Sequence, residues 1–227
     1  MPFTDDPDRL SVIGEQQAAD LGRWWARQGI SFDQVISGTL ERQVRTAEIA
    51  GTVMREAGLP WPELESIPLW NEFDAEGVVK RVLPALAESD ATFAALAAAF
   101  ETNRNAPDQN RHFQRMFEAV MSRWGLDEGG MEGVEPWSAF RARILGALRA
   151  IIDGDGTNRR ILVVTSGGPI GVAVQTILDA PAKAAVSLIW RIRNCSVTEI
   201  LFTRDRASID SFNLTAHLSR PDLITFR

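Results

Sequence analysis

The sequence predicts an α/β protein, a mostly parallel sheet interrupted by a long helical insertion. Three observations carry that prediction. Two short apolar runs, Gln34-Val35-Ile36 and Ile161-Leu162-Val163-Val164, each lead through a small-residue turn into an apolar-striped helix. Between them, residues 76–130 are alanine-rich and helix-prone. Beyond residue 188 the texture changes to β-rich segments around a polar turn. At 227 residues, 45% hydrophobic and 24% charged, the chain is long enough for one large domain with its own core. Residues 1–227 are therefore expected to form a single domain, with 76–130 as its helical insertion.

The first helix opens at Ser11, a natural N-cap, and sets Ala18, Leu21 and Trp25 on one face. Trp24 and Trp25 read as packing residues. After the strand Gln34–Ile36, Thr39 is the expected N-cap of a helix running from Leu40 towards Ala57 and ended by Gly58 and Pro60. Within the insertion, Asp90–Phe100 and Asn110–Trp124 are expected helices, separated by the polar stretch 101–108. Pro136–Ile152 reads as a returning helix with Phe140, Ile144 and Leu148 on one stripe, leaving through Asp153-Gly154-Asp155-Gly156. Ile161–Val164 reads as a fully buried parallel strand, and the helix Ile170–Leu178 after it stops before Pro181. Leu188–Ile192, Val197–Phe202 and Ile209–Phe212 complete the pattern as β segments, the last two flanking the turn 203–206. They are expected to add an antiparallel edge to the parallel sheet.

Composition narrows the function. A net charge of −6 argues against nucleic acid or an anionic membrane as partner. No run approaches the roughly 18 apolar residues of a membrane span, and Met1 is followed by polar, acidic residues and not by a signal peptide. Cys195 is the single cysteine, which rules out a disulfide framework or a cysteine metal cluster and suits a reducing, cytoplasmic setting. The two histidines, His112 and His217, lie far apart in sequence, so no zinc site is expected. The run Gly167-Gly168-Pro169-Ile170-Gly171 lacks the Lys-Ser/Thr pair of a nucleotide P-loop. No metal and no cofactor are expected.

Arg42 is the leading candidate site residue. Free amides at a helix start attract anions, and a guanidinium in the first turn adds a fork of donors matched to phosphate oxygens. An arginine on such a helix can also be plain surface, which is the expected state of Arg45. Ser166 offers a hydroxyl, and Gly167 and Gly168 offer amides that an anion can approach closely. Ser166 is not a nucleophile elbow, because no Gly-x precedes it. His217 is expected to be a buried histidine hydrogen-bonded to backbone, and His112 a surface or capping group. Asn194 and Ser196, between two β segments, are expected near the pocket mouth.

The wording of these segments resembles one family. Leu10-Ser11 followed by Gly14, Gln17 and Ala18, then Val35 and Ser37 followed by Arg42, Thr46 and Ala47, then Val164 before Gly167, Gly168 and Ile170 are similar to the histidine phosphatase superfamily, the phosphoglycerate-mutase-like fold. The resemblance spans Phe3 to Leu218 and is loose through the middle. It implies a three-layer α/β/α sandwich, with residues 76–130 capping the site and setting substrate choice. It also implies phosphomonoester hydrolysis through a phosphohistidine. Arg42 would hold the phosphoryl oxygens, joined by Ser166 and Gly167. Glu72, in Leu69-Trp70-Asn71-Glu72-Phe73-Asp74, matches the acidic residue that protonates the leaving alcohol, and Trp70 and Phe73 could raise its pKa by desolvation. The alternative for Glu72, and for Asp74, is exposed loop charge.

The departures are as informative. The family's first strand ends in Arg-His-Gly, whose histidine is the nucleophile, whereas this chain starts at Met1-Pro2-Phe3, just past that point. Ser166 stands where the family keeps a second histidine. Neither His112 nor His217 falls at a matching position, so the nucleophile is absent. The expectation is an N-terminally truncated chain that is inactive as it stands. The alternative is a catalytically inactive member that binds a phosphorylated small molecule or a phosphoprotein. An open sheet edge left by the missing strand would invite self-association.

Overall fold

The computed structural model describes residues 8–104, 106–125 and 133–226. These residues divide into two compact units. One comprises Phe73–Ala142, and the other Asp8–Glu72 with Arg143 onward. The start at Met1–Asp6 and the end of the insertion at 126–130, both read from sequence, lie outside the described residues.

In the larger unit, helix α1 (Val12–Gln28) begins as expected, with the Ser11 hydroxyl accepting from the Gly14 amide at 3.1 Å. Strand β1 (Gln34–Ser37) leads to α2 (Glu41–Glu56), and a short strand β2 (Leu64–Ser66), not read from sequence, follows. A single 3-10 turn at Pro68–Trp70 closes this half. The returning helix, α6 (Trp137–Ile152), belongs to this unit from Arg143 onward and precedes β3 (Ile161–Val164) and α7 (Gly167–Ile177). The three strands form a parallel sheet in the order β2-β1-β3, with Val35 paired to Leu64 on one side and Leu162 on the other. Helices α1 and α2 pack closely. Leu21 and Trp25 meet Ala50 and Met54, and Phe32, Trp61, Leu162 and Val197 gather around them. Trp24 and Trp25 are packing residues here, Trp25 lying edge-on to Phe32 at 4.9 Å.

Three sequence expectations need correction. β3 is not fully buried, since all four of its residues are half-exposed. Among the described residues it is an edge strand with β1 as its one partner, and it is left more open than the central, buried β1. The segment Leu188–Ile192 is not a strand, because Lys183–Ile189 forms helix α8. Its Ala185 lies so near α7 that a Cβ on Gly171 would sit 2.9 Å from the Ala185 carbonyl oxygen, and this packing overrides the β propensity of the segment. Finally, β4 (Val197–Thr203) and β5 (Arg206–Leu214) form a hairpin of their own and are not an edge of the parallel sheet.

The smaller unit is helical. It holds α3 (Ala75–Ser89), α4 (Ala91–Thr102) and α5 (Gln109–Trp124), the last two close to the helices read from sequence. Asp74 is no idle loop charge, since its carboxylate caps α3 by accepting from the Gly77 amide at 2.8 Å. An aromatic cluster forms the core of this unit. Trp124 stands 4.7 Å from Phe73 and edge-on to Trp137 at 5.2 Å, ring centre to ring centre. No helix among the described residues is long and apolar enough to cross a membrane.

Candidate functional site

Adjacent parallel strands deliver the site. β1 and β3 run side by side, and at their carboxyl ends each turns into a helix, α2 and α7. Helix starts beside one another at the carboxyl edge of a parallel sheet are where such folds hold anionic ligands. The two turns are tied together by Gly38, whose amide donates to the Val164 carbonyl at 3.2 Å. A Cβ there would press on the side-chain amides of Gln43 and Asn71, and both would have to move.

Gln43 is the hub. It is 2% exposed, and its amide nitrogen donates to the Ser166 hydroxyl oxygen at 2.9 Å and to the Trp70 carbonyl at 3.3 Å. Its carbonyl oxygen Oε1 is buried and has no partner among the described residues. The loop after β2 is stitched to this hub. Thr165 donates its hydroxyl to the Trp70 carbonyl at 2.6 Å, and the Arg143 guanidinium donates to the carbonyls of Leu69 and Asn71 at 2.8 and 2.7 Å.

Arg42 lies in the first turn of α2, as read from sequence, with its side chain 19% exposed. Its guanidinium donates to the Asp8 carboxylate at 2.8 Å, and the same carboxylate accepts from the Glu41 amide at 2.8 Å and the Arg42 amide at 3.5 Å. Thr39 is not the N-cap. That position is Leu40, which has no capping side chain, and the Asp8 carboxylate takes over the role from outside the helix. Thr39 is held instead by Asn71, which accepts from its amide at 2.6 Å and donates to its hydroxyl at 2.8 Å. Arg45 is half-exposed between Glu15 and Glu48.

Glu72 is buried, 8% exposed, and its carboxylate accepts from the Gly168 amide in the first turn of α7 at 2.9 Å. The start of each helix thus faces a carboxylate from the chain, Asp8 at α2 and Glu72 at α7. Ser166 is the N-cap residue of α7, and Gly167 follows as its first residue. Arg42 and Gln43 are neighbours on α2, and Gln43 reaches Ser166, so the structure gathers the sequence-read residues into one place. Gln43, Asn71, Arg143 and Asp8 complete the site without having been read from sequence. Of these only Gln43 carries a signal, a polar side chain on the buried stripe of Ala47, Ala50 and Met54.

The histidines are engaged elsewhere. His112 meets Asp108 at 3.2 Å in the helical unit. His217 is 4% exposed, beside the Trp24 ring at 6.0 Å. No hydrogen bond of ordinary geometry reaches its ring nitrogens among the described residues, but the Cys195 backbone is near enough to act on the ring. Burial lowers its pKa, against the opposing pull of the Cys195 backbone and the Asp20 carboxylate. Burial, reinforced by Asp20, pushes the Cys195 thiol up to about 12, which keeps it protonated and unreactive.

The sequence profile of the histidine phosphatase superfamily (branch 1) matches residues 75–215. No curated protein matches the chain by sequence. Solved structures similar to it include Bacillus stearothermophilus YhfR, 18% identical over 93% of this chain and 87% of that one, with a TM-score of 0.62. A phosphoglycerate mutase from Bacillus anthracis str. Sterne is 18% identical over 92% and 84%, with a TM-score of 0.57. The alpha-ribazole phosphatase from Shigella flexneri is 17% identical over 92% and 85%, with a TM-score of 0.56. The α/β fold, with its parallel three-stranded sheet flanked by helices, is that of the phosphoglycerate-mutase-like proteins. Profile and fold agree, and the chain belongs to branch 1 of the histidine phosphatase superfamily.

Proposed function

We propose that this chain seats the phosphoryl group of a phosphate monoester between the starts of α2 and α7. A phosphorylated metabolite is the ligand class suggested by the names of the mutase and the ribazole phosphatase it resembles. The observation that carries this reading is the join between the two helix starts, made by Gln43 on Ser166 next to Arg42. Arg42 supplies a bidentate cation, the α2 amides supply oriented dipoles, and the Ser166 hydroxyl supplies a further donor. In the hydrolytic form of this function a histidine attacks phosphorus, and Glu72 passes its proton to the departing alkoxide. Water then releases the phosphate. In the binding form the same seat holds the phosphorylated ligand without turning it over.

Calorimetry with inorganic phosphate tests the seat. Arg42→Ala and Arg42→Lys should each weaken binding by about tenfold or more, since an ammonium cannot reproduce the fork. Unchanged affinity in Arg42→Ala refutes the site. A parallel assay on p-nitrophenyl phosphate separates the two forms, with no turnover expected. Turnover lost in Arg42→Ala establishes the hydrolase. Turnover that survives in both Arg42→Ala and Ser166→Ala places the chemistry elsewhere.

A further inference from the structure

We infer that Asp8 is a built-in competitor for the phosphoryl seat, an internal carboxylate that any phosphate ligand must displace to reach Arg42. The inference rests on the seat proposed above and concerns what sets its affinity. The Asp8 carboxylate accepts from the Glu41 amide, the Arg42 amide and the Arg42 guanidinium at 2.8, 3.5 and 2.8 Å. Those are the donors a tetrahedral oxyanion would take at a helix start carrying an arginine. One carboxylate and one phosphoryl group cannot hold the same donors together.

A second observation points to a ligand at this place. Gln43, the next residue on α2, is almost wholly buried, and its Oε1 finds no partner although its nitrogen is bonded to Ser166. Native proteins rarely leave such an acceptor unsatisfied, and a hydroxyl or protonated oxygen on a bound ligand would complete it. Asp8 itself has a side chain 35% exposed, three residues before the N-cap of α1, so it reaches solvent without dismantling a core. A tethered carboxylate competes at an effective concentration in the millimolar range for short tethers. A free anion must therefore be either abundant or held by further contacts through its ester group. Asp8 raises the threshold for every phosphate ligand by the same factor, so at low concentration only a ligand held by further contacts through its ester group occupies the seat.

The test titrates inorganic phosphate into the full chain and its Asp8→Asn, Arg42→Ala and Asp8→Asn/Arg42→Ala forms. Glu41→Gln serves as a charge control at the same helix end. Asp8→Asn should tighten phosphate binding by about tenfold, and the gain should vanish in the Arg42→Ala background. A gain no larger than that of Glu41→Gln would reduce the effect to net charge and overturn the proposal. Arg42→Ala abolishing binding while Asp8→Asn changes nothing would leave the seat standing and remove the competitor. Binding indifferent to both residues, or absent from every form, would remove the seat itself. Should Asp8→Asn fold poorly, the unaltered protein decides. Saturating phosphate must move the Asp8 carboxyl carbon resonance together with the Glu41 and Arg42 amides, and a stationary Asp8 signal overturns displacement.

Discussion

Arg42 and Ser166 were legible in the sequence because their signals are local. One is a cation in a first helical turn, the other a hydroxyl ahead of paired glycines. Asp8, Asn71 and Arg143 were not, because each acts across a long stretch of chain on a backbone group or on Arg42. Nothing around Asp8 in the sequence distinguishes it from the other acidic residues near the start. His217 was read from sequence as a buried histidine, and it is one. Its pKa is lowered below the ordinary 6.5, so the unfolded chain takes up the proton first as pH falls. The neutral, buried imidazole therefore contributes fully above that value. Its contribution is lost as pH drops below about 6.5, at up to about 1.4 kcal/mol per pH unit. Urea unfolding at about pH 7.5 and about pH 5.5 should show this loss, and His217→Phe should show less of it. An equal loss in both proteins would mean that the imidazole does not titrate on unfolding.

Helices α1, α2, α4, α5 and α6 were readable from apolar spacing or alanine-rich wording, and the elements decided by their neighbours were not. Ile161-Leu162-Val163-Val164 has the same apolar wording whether one edge or two are covered, so the sequence could place β3 without placing it at the margin. Its position has a measurable result. Val35, Ile36 and Ser37 of β1 are buried between two partner strands, whereas β3 is half-exposed with one. Amide exchange in β1 should be slower than in β3 by about tenfold or more. Similar rates would mean that β3 is covered on its other side in solution. The contact of α1 with α2 depends on Gly22, where a Cβ would lie 2.7 Å from the Ala50 carbonyl oxygen. Backbone cannot yield there as a flexible side chain would. Gly22→Ala should lower the unfolding free energy by about 1–3 kcal/mol despite alanine's better helix propensity. Unchanged stability in urea would show that the two helices separate freely.

At the scale of the whole molecule, the net charge is −6 and the residues of the proposed seat all belong to the larger unit. Inorganic phosphate should therefore slow exchange in residues 8–72 and 143–226 and leave 73–142 unaltered, as read by exchange mass spectrometry. Protection centred on 73–142 would move the anion site to the helical unit. The larger unit also has a seam. Leu162 of β3 and Val197 of β4 lean on the same α1–α2 cluster, yet no ladder bond among the described residues joins the parallel sheet to the β4–β5 hairpin. The hairpin is held by apolar burial where Val197 meets that cluster, by the Arg159 guanidinium over Phe202, and by Asn213 of β5, which accepts from the Arg193 amide at 2.8 Å and donates to the Arg191 carbonyl at 2.6 Å. Apolar burial is entropy-driven near room temperature and fades on cooling, whereas a hydrogen-bonded ladder does not share that dependence. Chilling would then loosen the Val197 end of the hairpin from the α1–α2 cluster before it disturbs the parallel strands, with the Asn213 end still bonded to Arg191 and Arg193.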